Sequence, residues 1–389
     1  MNKNAVLVAY NEIALKSKPV RRNMEIQLAD HIKNMLLRQG INEAQFDRTQ
    51  GRIIIRNADP VKTADIVSRV FGVASAMTSI ETSSQLDDVI ETAADLASQV
   101  IGQDQSFAVK ARRIGKHPYT SKDIENKLGE EILRRLSDKN VRVNLSKPEK
   151  TIHVEVRNEA AYVYTQILNG PNGFPYGSQG KLISLFSGGI DSPVATWLMM
   201  KRGASVVPLF LDQKPYVGND YLERALEVAR NIREYVPLSD FPMYVASVGD
   251  LMKRIVEGAP SKLTCVLCKR MMYRAACHLA HSEGALGIVT GENLGQVASQ
   301  TLANLMVLDE ASTFPIYRPL IGFEKQETID IAKKIGTYDL SIKPVHGCSS
   351  VPQKPTTMAK LEEARRYEKK LHIEEALSDI LNSMAKLSF

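Results

Sequence analysis

The run KLISLFSGGIDSPVATWLMMK, residues 181–201, constrains the fold more than any other stretch. It opens as a continuous apolar strand and closes as an apolar helix, with only SGGIDS and a proline between them. A strand that turns through two glycines into a helix opened by Ser, Asp and Pro leaves several backbone N–H groups facing one small hollow, which is an anion site. Glycine is needed because a backbone without Cβ lets a phosphate approach closely and accepts positive φ. Ser187 and Ser192 offer hydroxyl donors, Asp191 is suited to orient magnesium or the loop itself, and Pro193 near the first helical position wastes no donor. A plain glycine turn before a capped helix is the bland alternative, and it leaves the agreement of six consecutive positions unexplained. No G-x-x-x-x-G-K-[ST] occurs, and no G-x-G-x-x-G stands between a strand and a helix, which argues against P-loop hydrolysis and Rossmann-type dinucleotide binding.

Further apolar runs recur at 205–211, 243–248 and 285–290, separated by segments of helical length. Strands buried on both faces that alternate with helices predict a doubly wound parallel sheet. Upstream, strands at 5–10, 52–56 and 74–80 alternate with helices at 22–39 and 61–70, an α/β sandwich with helices on one face. A second unit follows, with helices at 86–101 and 121–136 and strands at 106–111, 151–156 and 161–168. The segment NGPNGFPYGSQG, with four Gly and two Pro, is the natural boundary. The expected division is therefore 1–72, 73–168, a linker at 169–180, and 181–389. From residue 361 the chain is amphipathic, a helix packed on its own domain or offered to a partner.

At 389 residues the chain has length for two or three domains, and 44% hydrophobic with 24% charged residues excludes a disordered or fibrous chain. No apolar run reaches the roughly 18 residues of a membrane span, and MNKNAVLVAY lacks a signal peptide, so a cytoplasmic protein without a membrane partner is expected. The net charge of +6 is unevenly spread. Residues 101–150 hold 12 Lys and Arg against seven Asp and Glu, whereas residues 1–100 balance at 12 each. A basic patch of this kind is a solvated face or a dock for a phosphate backbone. Four cysteines, Cys265, Cys268, Cys277 and Cys348, cannot staple such a chain and are read as buried thiols, metal ligands or catalysts.

SGGIDS resembles the pyrophosphate loop of the N-type ATP pyrophosphatases, which split ATP to adenylate a carbonyl oxygen and so turn it into a leaving group. Together with YNEIALKSKPVRR, FAVKARRIGKHPYTS and TGENLGQVASQTLANL, it resembles the tRNA 4-thiouridine synthetase family over essentially the whole chain, in the rhodanese-less archaeal-type form with a C-x-x-C. The resemblance implies an N-terminal ferredoxin-like domain, a THUMP RNA-binding domain and a doubly wound, PP-loop α/β catalytic domain of the adenine nucleotide alpha hydrolase type. It implies ATP-dependent thiolation of uridine-8 of tRNA with Mg2+. A PP-loop thiolase of another tRNA nucleoside and a non-catalytic tRNA-binding protein are the alternatives. Carried over by motif, the ATP contacts fall on Leu185, Phe186, Ser187, Gly188, Gly189, Asp191, Ser192, Phe210, Leu211, Lys269, Gly291 and Gln300. Lys269 stands where many relatives carry Arg, which keeps phosphate attraction but loses bidentate geometry.

The tRNA contacts implied are Lys110, Arg112, Arg113, Lys116 and Tyr119, with His117 and Tyr119 as candidates to stack on bases, and Gln296. Many bacterial relatives carry the persulfide on a further rhodanese domain, for which this chain, ending at Phe389, leaves no length. Asp191, Cys265, Cys268 and Cys348 are the catalytic candidates. The three cysteines would ligate an iron–sulfur cluster with one iron left free to hold sulfide. A dithiol that resolves a persulfide, a zinc site recruiting His346 or His278, and inert thiols stay open beside it. Cys277, among Ala275, Ala276 and Leu279, reads as a core thiol. The partners expected are tRNA, a sulfur donor (inorganic sulfide or a cysteine desulfurase) and a second copy of the chain. A role in thiamine synthesis is not expected.

Overall fold

The computed structural model describes residues 3–49, 51–382 and 384–389, in two compact units that divide between Gly173 and Phe174. The division falls inside the Gly/Pro-rich segment.

The first unit runs β1 (Lys3–Ala9), α1 (Lys18–Arg38), β2 (Gln45–Thr49), β3 (Arg52–Arg56), α2 (Pro60–Val67), β4 (Ser75–Ser83), α3 (Leu86–Val100), β5 (Ser106–Arg113), α4 (Ser121–Arg135), β6 (Arg142–Val143), β7 (Lys150–Val156), β8 (Ala160–Tyr164) and β9 (Leu168–Asn169). Its strands form one sheet in the order β2-β3-β1-β4-β8-β7-β5-β6, with β9 also on β4. Helix starts follow local chemistry. Asp59 accepts from Lys62 N ahead of Pro60, and Thr120 and Asp123 form a reciprocal capping box. Helix α1 starts at Lys18 rather than near residue 22, because Pro19 suits the first turn. Strand β4 pairs antiparallel with β1 along 75–81 and with β8 along 80–83, so the sheet is continuous through both halves of the unit. Arg52 of β3 bonds Glu155 of β7 at 2.8 Å, and Arg157, just past β7, bonds Thr49 of β2 at 3.0 Å, which ties the two halves of the same sheet together.

The second unit runs β10 (Lys181–Leu185), α5 (Asp191–Lys201), β11 (Ser205–Asp212), α6 (Asn219–Arg233), β12 (Pro242–Ser247), α7 (Gly249–Gly258), α8 (Thr264–Glu283), β13 (Ile288–Val289), α9 (Leu302–Asp309), β14 (Ile316–Tyr317), α10 (Lys325–Lys334), α11 (Tyr338–Ser341), α12 (Leu361–Lys370), α13 (Ile373–Asn382) and β15 (Ala385–Ser388). The order β14-β13-β10-β11-β12-β15 is parallel except for β15, which closes one edge antiparallel to β12. The chain leaves β10 first toward β11 and β12, then returns to its other side for β13. That reversal opens a crevice at the strand C-termini beside β10, where such sheets bind ligands. The C-terminal amphipathic stretch is two helices, because His372 adopts φ +51° between them. Their apolar residues Ala364, Ile373, Leu377 and Leu381 are buried in one core with α8. Among the described residues no helix is long and apolar enough to cross a membrane.

Candidate active site

The loop between β10 and α5 closes on itself. Ser187 N donates to Ser192 Oγ at 2.8 Å, Ser192 Oγ donates to Ser187 O at 3.1 Å, and Gly189 N donates to Ser187 Oγ at 3.4 Å. Ser192 Oγ thus spends its proton on the loop, whereas Ser187 Oγ, 3.0 Å from Ser192 Oγ, keeps a proton for that oxygen or for a phosphate. Further anion donors are the main-chain N–H groups at the start of α5, which have no helical acceptor. Pro193 is the third residue of α5, still inside that first turn. Gly188 faces away from the hollow, and a Cβ there would stand 2.9 Å from Ala225 N of α6. Gly291, after β13, meets the loop from the opposite side, with its Cβ position 2.7 Å from Ser192 N. Only glycine allows that approach.

These elements wall a cleft of about 280 Å³. It is lined by Leu185, Phe186, Ser187, Gly189, Asp191, Ser192, Phe210, Leu211, Lys269, Gly291 and Gln300, so the structure gathers every expected nucleotide contact except Gly188. It adds Leu209, Gln213, Tyr221, Met272, Tyr273, Thr290 and Glu292, which the sequence reading missed. Met272 and Tyr273 were legible, lying three and four residues beyond Lys269 on one helix face. Gln300 is 8% exposed, and its Oε1 is buried without a hydrogen-bond partner among the described residues.

Two charged clusters flank the cleft. Asp191 Oδ1 lies 2.6 Å from Lys325 Nζ, and Asp191 Oδ2 accepts from Gln296 Nε2 at 3.2 Å. Gln296, expected at the tRNA, therefore sits against the loop carboxylate, and Lys325 at the start of α10 is a functional candidate missed from sequence. Glu292, 5% exposed, pairs with Lys269 at 3.0 Å and Arg318 at 2.8 Å and accepts from Tyr273 OH. Burial pushes the Glu292 carboxyl up, but Lys269, the Tyr273 hydroxyl and Arg318 together outweigh it and hold it below the usual range. Burial and the Glu292 charge raise the Tyr273 phenol. The site thus contains a buried carboxylate that keeps its charge.

Cys265 and Cys268 lie in the first turn of α8, half-buried and buried respectively. Cys348 lies in the loop after α11, which is pinned to the start of α6: Ser349 N donates to Tyr216 O at 2.9 Å, Gly218 N to His346 O at 3.2 Å and His346 N to Asp220 Oδ2 at 2.9 Å. Burial pushes the Cys268 thiol up to about 12, and Cys348 and Cys265 add to the push. Burial and Cys348 raise Cys265 as well, against Lys269. The charge on Cys348 thus bears on both Cys265 and Cys268, and three thiolates are one short of the four that ordinarily hold an iron–sulfur cluster. Among the described residues no three His, Cys, Asp or Glu side chains are gathered around a metal position, and Cys348 Sγ lies 2.9 Å from Ser350 Oγ. His346 is engaged by Asp220 at 3.0 Å, and His278 is exposed on α8. Cys277 is a core thiol, buried against Ser312 and Thr313.

In the first unit, Lys110 and Arg112 project from the face of β5 opposite its buried Phe107 and Val109, and Lys116 is exposed in the following turn. Arg113 donates to His117 O at 3.2 Å. Tyr119 corrects the sequence reading. It is 7% exposed in the core under α3 and α4, with its hydroxyl bonded to Ser84 O, so it cannot stack on a base. His117 packs against it at 5.4 Å.

Comparison with known proteins agrees with this geometry. The family described as "Thiamine biosynthesis protein (ThiI)" matches residues 177–373, the THUMP domain 83–166 and the ThiI ferredoxin-like domain 5–76. A "Probable tRNA sulfurtransferase" of Methanosarcina mazei is 42% identical over 98% of this chain and 94% of its own length. One of Methanothermobacter thermautotrophicus is 36% identical over 98% and 97%. A 4-thiouridine synthetase solved as an RNA complex with bound ATP superposes with a TM-score of 0.88 at 29% identity, covering 100% of both chains. PH1313 of Pyrococcus horikoshii gives 0.66 at 25% identity, over 86% of this chain and 99% of that one. With relatives of this identity spanning nearly the whole chain, and a closed Gly-Gly-x-Asp-Ser loop at the sheet crevice, the chain belongs to the ThiI family of tRNA sulfurtransferases.

Proposed function

We propose that this protein is an ATP-dependent tRNA 4-thiouridine synthetase acting on uridine-8. ATP lies in the cleft with its phosphates over the start of α5. O4 of the uracil attacks the α-phosphorus, the bond to pyrophosphate breaks, and the N3 proton is released. Sulfide then adds at C4, AMP departs with the former O4, and N3 regains a proton to give the thiocarbonyl. The observation that carries the ATP assignment is the cleft at the strand C-termini, where the main-chain N–H groups at the start of α5 and the Lys269 side chain share one hollow with the apolar Leu185, Phe186, Phe210 and Leu211.

Asp191 is the residue that would hold Mg2+, in exchange for its bonds to Lys325 and Gln296. Lys269 is the cleft cation for phosphate, lent by Glu292, which keeps two further partners in Arg318 and Tyr273. The thiols of Cys265, Cys268 and Cys348 form the sulfur-handling site, supported by the bearing of Cys348 on the other two. An iron–sulfur cluster on these three thiolates would supply an iron with an open position for sulfide. Lys110, Arg112 and Lys116 dock the tRNA backbone. The resemblance further supports a cytoplasmic homodimer fed by inorganic sulfide or a cysteine desulfurase, on the domain division 1–72, 73–168, 169–180 and 181–389.

Asp191→Ala should abolish tRNA-dependent pyrophosphate release and 4-thiouridine, read by nucleoside mass analysis, while tRNA affinity stays unchanged. Undiminished thiolation by this variant would sink the assignment.

A further inference from the structure

The reaction proposed above needs one uracil C4–O4 group to meet the α-phosphate of ATP and then a sulfur atom without leaving the site. Tyr221 is where the structure brings both requirements together. It is the third residue of α6, it lines the ATP cleft, and its ring centroid lies 5.9 Å from that of Phe210, another lining residue. The same turn anchors the Cys348 loop. Tyr221 N donates to Gly218 O at 3.2 Å, Gly218 N donates to His346 O at 3.2 Å, and Asp220 accepts from His346 N two residues before Cys348. The Arg224 guanidinium stands 5.5 Å over the ring, which is only half-buried.

A base that undergoes chemistry leaves its stack, and proteins hold such bases on aromatic faces because every base offers a π surface. We propose that the ring of Tyr221 is the surface on which the target uracil seats, between the ATP cleft and Cys348. This inference rests on the 4-thiouridine reading and names its base-positioning residue.

The test uses the full chain with ATP, tRNA and inorganic sulfide as the sulfur source. Tyr221→Ala is expected to lower kcat for 4-thiouridine about 100-fold, the effect of a misplaced reacting group, with KM for ATP and for tRNA each changed less than about threefold. Tyr221→Phe keeps the ring and should stay within about threefold of wild type. Tyr221→Leu keeps bulk without a π face; it should match the alanine variant and replaces it if that variant does not fold. An unchanged kcat in the alanine or leucine variant overturns the inference. So does a fall matched by an equal loss of ATP affinity, which would make the ring a nucleotide contact, or a phenylalanine variant as impaired as alanine. A wild-type protein that makes no 4-thiouridine either with inorganic sulfide or with a cysteine desulfurase and cysteine in its place overturns the parent function instead, and this inference with it.

Discussion

At Gly291 the obstacle to a side chain is main chain, Ser192 N and the Asp191 carbonyl carbon, so nothing can swing aside. Gly291→Ala is expected to separate the loop after β13 from the start of α5 and to lower kcat/KM for pyrophosphate release about 100-fold. Gly295→Ala is the control. Gly295 has φ +75° with open space around it, so alanine there should cost about 1 kcal/mol of stability, read by thermal denaturation, with little loss of rate. A full rate in Gly291→Ala would show that the close approach is dispensable. Glu292 is the other residue whose setting decides the site. Removing it would leave Arg318 and Lys269 without their buried carboxylate, a loss of about 3–5 kcal/mol for a broken buried pair. The contiguous motifs made most of the cleft legible, since SGGIDS and TGEN are read in one piece. Lys325 was not, because 134 residues separate it from Asp191 and nothing local marks a lysine at a helix start as a partner.

Helix α1 carries a titratable group where water does not reach. His31 is 6% exposed and its Nδ1 has no partner among the described residues, and burial lowers its pKa to about 4 despite Asp30. Unfolded, it takes up a proton near pH 6.5; folded, it does not until about pH 4. Stability is therefore full above 6.5 and falls as the pH drops toward 4, by about 1.4 kcal/mol per unit from this group. His31→Leu should flatten that part of the curve, measured by urea denaturation between pH 7 and 5, and an unchanged slope would assign the proton to another residue. The elements that sequence reveals are those with a face to bury. Continuous apolar runs announced β10, β11 and β12. Strand β2, QFDRT, has no buried residue, and β14 and β15 are edge pieces of two and four residues, so periodicity had nothing to detect. The break at His372 is likewise a single backbone angle inside an otherwise regular amphipathic pattern.

The whole molecule divides its work by charge. The surplus of Lys and Arg lies in residues 101–150 of the first unit, and the ATP cleft lies in the second, where cations are largely paired with carboxylates. Reversing Lys110, Arg112 and Lys116 to Glu is expected to weaken tRNA binding and to reduce its dependence on log salt by about one unit of slope for each phosphate that is no longer neutralised. ATP affinity without tRNA should not move. Equal tRNA binding at every salt concentration would remove this patch from the interface.

Strand β4 decides where such a chain can be cut and rejoined. The ferredoxin-like match ends at residue 76 and the THUMP match begins at 83, so the span between them is β4 itself, one strand with β1 on one edge and β8 on the other. A graft that replaced one module by a foreign counterpart would have to be joined inside a hydrogen-bonded strand that serves both neighbours. A fusion point in the turn-rich crossing near Gly173, between the two units, would cut no strand.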